Sequence, residues 1–357
     1  MKTKTKMKTI SLLNKDWGQF KLSSIFEIEN CKCSKVSSLQ KGDFPYVGAT
    51  NRNNGVLHFV KPEPKLITKG NCIAFICDGE GSVGYSIYKS ENFIGSTTVK
   101  VGRSEKLNKY NGAFITTIAD TVRSKYNFGF KRNEKHLKNE TLMLPMDKKG
   151  NPDFEFMETF MKLKEQEKLN EFESFISKKI KNLKKSKKTE SLEQKEWGEF
   201  FLKDIFSEIQ RGKRLKKADH RKGIMPYISS TALNNGVDGY VSNKEKVRIF
   251  SDCLTLANSG SVGACFYQPF KFVASDHVTK LKSEQLGEYT YKFISFVVSR
   301  LGVKYSFNRE MNDTRIKREK IMLPMNQNNE PDYVFMENYM KRLEYKKLTE
   351  YLKKKSN

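Results

Sequence analysis

A domain-sized duplication constrains this chain more than any other feature of its sequence. Pro45 to Val60 reads PYVGATNRNNGVLHFV, and Pro226 to Val241 reads PYISSTALNNGVDGYV. KDWGQFKLSSIF at Lys15–Phe26 returns as KEWGEFFLKDIF at Lys195–Phe206, and GSVG at Gly81–Gly84 returns at Gly260–Gly263. LMLPM at Leu142–Met146 is matched by IMLPM at Ile321–Met325, and GNPDFEFMETFMK at Gly150–Lys162 by NEPDYVFMENYMK at Asn329–Lys341. The offset between partners drifts only from 181 to 179 residues. Order and spacing together exclude a short-period solenoid and predict two tandem copies, about 1–188 and 189–357.

Each copy reads as an α+β module. The Trp17 and Trp197 segments suit a strand or short helix entering the core. Asn53-Asn54-Gly55 and Asn234-Asn235-Gly236 are turn signals between extended stretches. NCIAFIC and DCLTLAN alternate apolar and polar residues as strands do, each running into GSVG. Helices are expected over Tyr110–Arg123 and Tyr289–Ser299, where Phe114, Ile115 and Ile118 match Phe293, Ile294 and Val297. Pro152-Asp153 and Pro331-Asp332 start a closing helix in each copy, with Asp capping the first turn. The first is expected from Phe154 to about Lys188, the second from Tyr333 to about Lys355. Met157 and Met161 match Met336 and Met340. Leu169, Phe172, Ile176 and Leu183 continue one stripe, and Leu343, Leu348 and Tyr351 the other. The sequence favours pairing of these helices with each other over packing only on their own domains. The expected boundaries are 1–152, a first globular domain; 153–188, a helix and basic linker; 189–331, a second globular domain; and 332–357, a C-terminal helix.

The charge points outward. Sixty-six Lys and Arg against 41 Asp and Glu give a formal +25, which suits a polyanionic partner such as nucleic acid. A lysine-rich, AT-biased genome inflates the same number without function. A basic membrane-binding face is the weaker reading, because the lysines lie outside any amphipathic surface helix. The run Lys178–Lys188, with seven lysines and no acid, is either a solvated helix end and linker or a DNA-facing rail. No run of eighteen apolar residues marks a membrane span. MKTKTKMKTI lacks the apolar core of a secretory signal. The six cysteines form no framework, which suits reduced thiols in a cytoplasmic protein. Cys31 and Cys33 are one lone pair whose equivalent, Gln210–Gly212, has no sulfur, so zinc is not expected.

Catalytic motifs fare poorly. Gly79 to Gly84 is formally G-x-G-x-x-G, but a strand-like segment follows it, and the second copy places Ser259 before its GSVG; a tight turn explains both. Asn151-Pro152-Asp153-Phe154 is similar to the N-P-P-F motif of amino-methyltransferases, yet lacks the second proline and a glycine-rich cofactor loop. Asp332 with Glu344 and Lys346 superficially fits a PD…ExK nuclease, although that chemistry clusters carboxylates around Mg²⁺ and the first copy lacks the lysine. His58, His136, His220 and His277 sit in unrelated contexts, and Thr98 replaces His277 in the first copy. Shared residues are structural and differing ones surround turns, as in a binding module that diversifies on a fixed scaffold.

The W-G-x-F-x-L-x-x-I-F opening, the PY…NNG segment, the GSVG turn, the LP strand end and the PD-x-x-FM helix, in order and twice, resemble the specificity (S) subunits of type I restriction–modification systems. The PD-x-x-FM ending is also similar to the type IIB kind, whose partner fuses methyltransferase and nuclease. The resemblance implies two target-recognition domains, each followed by a long helix, the helices pairing antiparallel in a pseudo-twofold arrangement. It further implies a non-catalytic subunit in host defence, each half reading one part of a bipartite asymmetric double-stranded DNA target. Methyltransferase subunits, up to two, would dock on the helices with S-adenosylmethionine as their cofactor. A restriction subunit would bring ATP and Mg²⁺ in a type I assembly. A self-sufficient DNA-cleaving enzyme or a non-specific basic DNA-binding scaffold are the competing readings.

Candidate DNA-binding residues lie around the differing turns and the basic segments before LMLPM and IMLPM. They are Arg52, Asn53, Ser82, Lys125, Tyr126 and Arg132 in the first copy. In the second they are Asn234, Asn258, Ser261, Lys304, Tyr305, Arg309 and Arg315. Arg and Asn can pair bidentately with guanine and adenine edges, while Asn53 and Asn234 equally suit turn geometry and Tyr126 and Tyr305, kept in both copies, also suit the core. Candidate partner-binding helix residues are Met157, Met161, Phe172, Ile176, Met336, Met340 and Leu343.

Overall fold

The computed structural model describes residues 10–79, 81–127, 129–184, 190–305 and 310–356. Contacts divide the chain into two units, 1–173 and 174–357. The first unit runs β1 (Trp17–Lys21), α1 (Leu22–Ile25), β2 (Glu27–Asn30), β3 (Lys41–Val47), β4 (Val56–Val60), β5 (Ile67–Thr68), β6 (Cys72–Ile76), β7 (Ser86–Lys89), β8 (Phe93–Gly95) and β9 (Val99–Arg103). It continues with α2 (Lys109–Thr121), α3 (Glu134–Asn139), β10 (Thr141–Pro145) and α4 (Phe154–Leu183), and the boundary between the units falls inside α4.

The same elements return in the second unit: β11 (Trp197–Phe201), α5 (Leu202–Ile205), β12 (Glu208–Arg211), β13 (Lys222–Ile228), β14 (Val237–Val241), β15 (Ile249–Phe250), β16 (Cys253–Ala257), β17 (Cys265–Gln268), β18 (Phe272–Ala274) and β19 (Val278–Lys282). Then follow α6 (Glu288–Ser299), α7 (Asp313–Arg318), β20 (Lys320–Pro324) and α8 (Tyr333–Ser356). The sheets repeat as well. The first unit has β1–β10, β2–β9–β6–β7 and β4–β3–β8–β5; the second has β11–β20, β12–β19–β16–β17 and β14–β13–β18–β15. All pairings are antiparallel except β3 with β8 and β13 with β18.

The central strand β6 departs from the expected apolar–polar alternation because both of its faces are covered. Ile73 and Phe75 join the cluster that holds Phe114 and Ile115 of α2. Cys72 and Ala74 turn the other way and pack with Val47, Phe93 and Val99 of the second four-stranded sheet. The period of two therefore separates two cores rather than core from solvent. In β16, Leu254 and Leu256 face α6 and Cys253 faces the other sheet. Each fully buried large apolar side chain here contributes roughly 1.5–3 kcal/mol.

The expected helices form with shifted ends. Asn108 caps α2, its Oδ1 accepting from Tyr110 N and Asn111 N, while the Asn111 side chain accepts from Asn108 N. Helices α3 and α7, capped by Asn133 and Asn312, fall where the sequence showed only basic segments. At 1.5 Å per residue, the 30 residues of α4 and 24 of α8 span about 45 and 36 Å. The expected continuation over 185–188 lies outside the described residues. Trp17 stacks on Phe114 and Trp197 on Phe293, each pair at 6.3 Å between centroids.

Candidate nucleic-acid interface

In each unit, backbone hydrogen bonds gather four loops beside the two four-stranded sheets. In the first, Gly48 N donates to Gly55 O at 3.1 Å, Ser96 N to Val47 O at 2.8 Å, Thr97 N to Cys33 O at 3.0 Å and Cys77 N to Thr98 O at 2.9 Å. The GSVG turn abuts this group: a Cβ on Gly79, whose φ is +115°, would lie 2.5 Å from that of Ala49. In the second unit, Ser229 N donates to Gly236 O, Ser275 N to Ile228 O and Lys213 N to Ala274 O, each at 3.0 Å. Asn258 N reaches His277 O and Ser261 N reaches Ser230 O, both at 2.9 Å. Loops collected on a rigid scaffold are where recognition is built.

The Asn-Asn-Gly tips owe their composition to backbone geometry. Asn53 and Asn54 have φ of 48° and 51°, and Asn234 and Asn235 have 48° and 53°. Asparagine tolerates this left-handed region better than other side chains. Each tip is held from below. Buried Lys89 donates to Asn54 O at 3.3 Å and ion-pairs Glu91; at the same place in the second unit, Gln268 Nε2 donates to Asn235 O at 2.7 Å. Asn53, Asn234 and Arg52 remain exposed.

Several sequence candidates belong to the scaffold instead. Arg132 is fully buried, and its guanidinium spans Glu140, Gly84 O and Ser86 Oγ. A side chain with no exposed surface offers nothing to a base edge, so Arg132 belongs to the scaffold. Asn258 is also fully buried, its side-chain amide hydrogen-bonded to Thr279 Oγ1 at 2.9 Å. Ser82 is buried within the GSVG turn, its amide donating to Gly79 O at 3.1 Å. Tyr126 donates to Glu140 at 2.6 Å, and buried Tyr305 donates to the matching Glu319. Burial and the carboxylate hydrogen bond push the Tyr126 phenol pKa up. Tyr305 is core, one of the two readings the sequence left open, whereas Tyr126 is half-buried and held by the same carboxylate hydrogen bond.

The rest are accessible in differing degrees. Lys125 is exposed, and Lys304 is exposed but ion-paired to Glu319 at 3.1 Å. Exposed Arg315 donates to Glu310 O at 2.7 Å. Half-buried Ser261 accepts from Ala232 N at 3.1 Å, tying the GSVG turn to the NNG loop. Arg309 lies outside the described residues.

Two features escaped the sequence reading. Phe130 is 46% exposed and stacks on His136 at 4.4 Å, while neighbouring Lys131 ion-pairs Asp78 at 2.7 Å beside the GSVG turn. In the second unit a cleft of about 470 Å³ is lined by Arg214, Lys216, Lys217, Asp238, Asp276 and His277, among others. His277 Nδ1 lies 2.7 Å from Ser259 Oγ. The sequence signal for this cleft is the dense basic run at 213–217.

Of the helix candidates, Met157 and Met336 are fully buried in the cores of their own units, so they anchor the helices there and present no partner surface. Ile176 is also fully buried, Met161 half-buried and Phe172 45% exposed. Met340 and Leu343 line an apolar groove of about 870 Å³ with Trp197, Phe293 and Phe296. Asp332 caps α8 and ion-pairs Lys195 at 2.8 Å, whereas Glu344 ion-pairs Lys179 at 2.6 Å. Twelve residues along one helix separate the two carboxylates by about 18 Å, too far to share a metal ion. Among the described residues no three His, Cys, Asp or Glu side chains cluster as metal ligands, and no helix is long and apolar enough to cross a membrane.

The chain is 28% identical over 344 residues to the Type II restriction enzyme BgcI specificity subunit S.BcgI of Heyndrickxia coagulans, covering 92% of this chain and 95% of that protein. Among solved structures it is similar to a Type-I restriction-modification system S subunit from M. genitalium, with TM-score 0.48 and 14% identity over 97% of this chain and 94% of the other. It is also similar to the HsdS subunit from Thermoanaerobacter tengcongensis, with TM-score 0.32 and 11% identity over 94% and 91%. The model of the Type I restriction modification DNA specificity domain matches residues 14–189 and again 194–353. With both copies matched over nearly their whole length, the chain belongs to the family of type I restriction–modification DNA specificity domains, carrying two in tandem.

Proposed function

We propose that this chain is the non-catalytic recognition subunit of a restriction–modification complex, each unit reading one part of a bipartite, asymmetric DNA target. One observation carries the reading: the two scaffolds coincide where they are structural and differ where loops gather. Sheet order, the Trp–Phe stack and the lysine–aspartate pair at each long helix recur. Gly79 against Asn258, Thr98 against His277, and SKVSSLQ at 34–40 against KRLKKADHR at 213–221 differ. Unequal loops on equal scaffolds suit unequal half-sites.

Methyltransferase subunits are the expected partners, carrying S-adenosylmethionine; a restriction subunit using ATP and Mg²⁺ joins them in a type I assembly. The curated relative is named for a type II enzyme, which favours a partner that fuses methyltransferase and nuclease as the second arrangement. The groove lined by Met340 and Leu343 supports docking near α8. The Lys179–Glu344 ion pair supports antiparallel pairing of the two long helices. A DNA-reading subunit works where the DNA is, in the cytoplasm. Exchange of residues about 15–150 for those of a related protein, followed by methylation mapping with the methyltransferase partner, tests the reading. One half of the target should change and the other persist. Change in both halves, or in neither, overturns it.

A further inference from the structure

We infer that the loop Lys213–Arg221 is a phosphate-anchoring rail for duplex DNA and that its counterpart in the first unit is not, so the two half-sites are held with unequal electrostatic strength. This rests on the recognition reading above. The first-unit loop, 34–40, carries one cation, Lys35; the second-unit loop carries five basic residues and one acid, Asp219. Packing amplifies the difference. Val36 and Leu39 of the first loop turn inward onto Cys33, Tyr46, Val60 and Ile94. In the second, Leu215 packs inward and Lys213, Arg214, Lys216 and Lys217 are exposed. No ion pair among the described residues neutralises these four, whereas Arg211, just before them, is paired with Asp313 at 3.4 Å.

The rail is also preorganised. Gly212 N donates to Val278 O at 2.8 Å and Lys213 N to Ala274 O at 3.0 Å. A Cβ at Gly212 would lie 2.1 Å from Ser275 O, so only glycine permits this approach. At the far end, Asn243 Nδ2 donates to Asp219 O at 3.0 Å and the His220 ring meets Tyr227 edge-on at 4.6 Å. A pinned loop loses little entropy on binding. The cleft beside it is lined by Asp238 and Asp276 as well as the cations. Those carboxylates repel a free phosphate seated there but can accept from a cytosine amino group, which selects a duplex laid along the loop over a small anion.

The test is the salt dependence of binding of the full-length chain to a mixed-sequence DNA duplex, between about 50 and 200 mM salt. The variant K213Q/R214Q/K216Q/K217Q should lower the slope of log Kobs against log salt by about three to four, at about 0.9 per phosphate lost. A charge-matched control on α8, K346Q/K347Q/K353Q/K354Q, should leave the slope unchanged. K35Q should change it by no more than about one. Inorganic phosphate at constant ionic strength should not displace the duplex. An unchanged slope in the loop variant, or an equal fall in the control, overturns the rail while recognition stands. Displacement by phosphate reassigns the loop to a small anion. Failure of the wild-type chain, alone and with its methyltransferase partner, to bind any duplex overturns rail and recognition together.

Discussion

Asp153 meets Lys15 with one carboxylate oxygen and the first turn of α4 with the other: Oδ2 lies 2.6 Å from Lys15 Nζ, and Oδ1 accepts from Phe156 N at 2.9 Å. The pair ties the start of the module to the start of its long helix, 138 residues later. Lys195, Asp332 and Phe335 repeat it at 2.8 and 2.9 Å. The lysine of KDWG and the aspartate of NPDF, two remote sequence motifs, are thus one structural clasp.

Removing the clasp should separate its two roles. Asp153→Ala loses a cap worth about 1 kcal/mol and a partly buried ion pair of at most about the same size. Asp153→Asn keeps the cap and loses only the pair. Urea unfolding read by Trp17 fluorescence, with Trp197→Phe in the background, should show roughly twice the loss for alanine. Equal losses contradict the division of labour.

Arg132 should prove structural. Arg132→Met copies the second unit, where buried Met311 stands at the matching place, but strands Glu140 in the core. Breaking a buried pair at one partner costs roughly 3–5 kcal/mol. Adding Glu140→Gln should restore much of that loss, because Tyr126 can still donate to the amide oxygen. Methylation specificity of the double variant with its partner should match wild type. Altered choice of bases returns Arg132 to the interface.

Arg132 shows why part of this molecule was hidden in its sequence. The duplication, strand–turn punctuation and closing helices were legible because they rest on local pattern and spacing. Whether an arginine faces DNA or a glutamate depends on chain 48 residues away, where Gly84 O waits for its guanidinium. The burial of Met157 and Met336 in their own cores is hidden for a related reason. A helical stripe records which face is apolar, not whether its own core or a partner covers it. The basic run at 213–217 was visible, but only the inward turn of Val36 and Leu39 in the other unit shows how differently the two loops present charge.

The cysteines should be inert in the native chain. All six are buried, and burial pushes Cys31 and Cys77 up to about 11 and Cys72 and Cys253 up to about 12, against an ordinary 9.0. At pH 8, alkylation by iodoacetamide should be slow until denaturant is added. The linkage has a definite sign. Raised thiol pKa values favour the folded state fully below pH 9, and that contribution is lost as pH rises through 11 to 12. Urea midpoints should therefore fall across that window, and less so where Cys72 and Cys253 are replaced by Val. A flat profile removes the thiols from alkaline instability.

The tip asparagines admit a sharper test. Asn234 is exposed at φ 48°, and its counterpart Asn53 has the same φ. A side chain shared by both units cannot by itself distinguish two unequal half-sites, whereas a shared turn needs the same residue in both. Asn234→Gly deletes the amide and keeps the left-handed backbone at ease. Asn234→Ala deletes the amide and strains the turn by about 1–2 kcal/mol. Methylation mapping should find the glycine variant reading the same second half-site as wild type, with the alanine variant impaired at that half alone. If glycine and alanine variants lose the same bases equally, the amide reads DNA and the turn is incidental. If both leave the half-site untouched, Gln268 holds the turn through Asn235 O strongly enough that position 234 is free to vary.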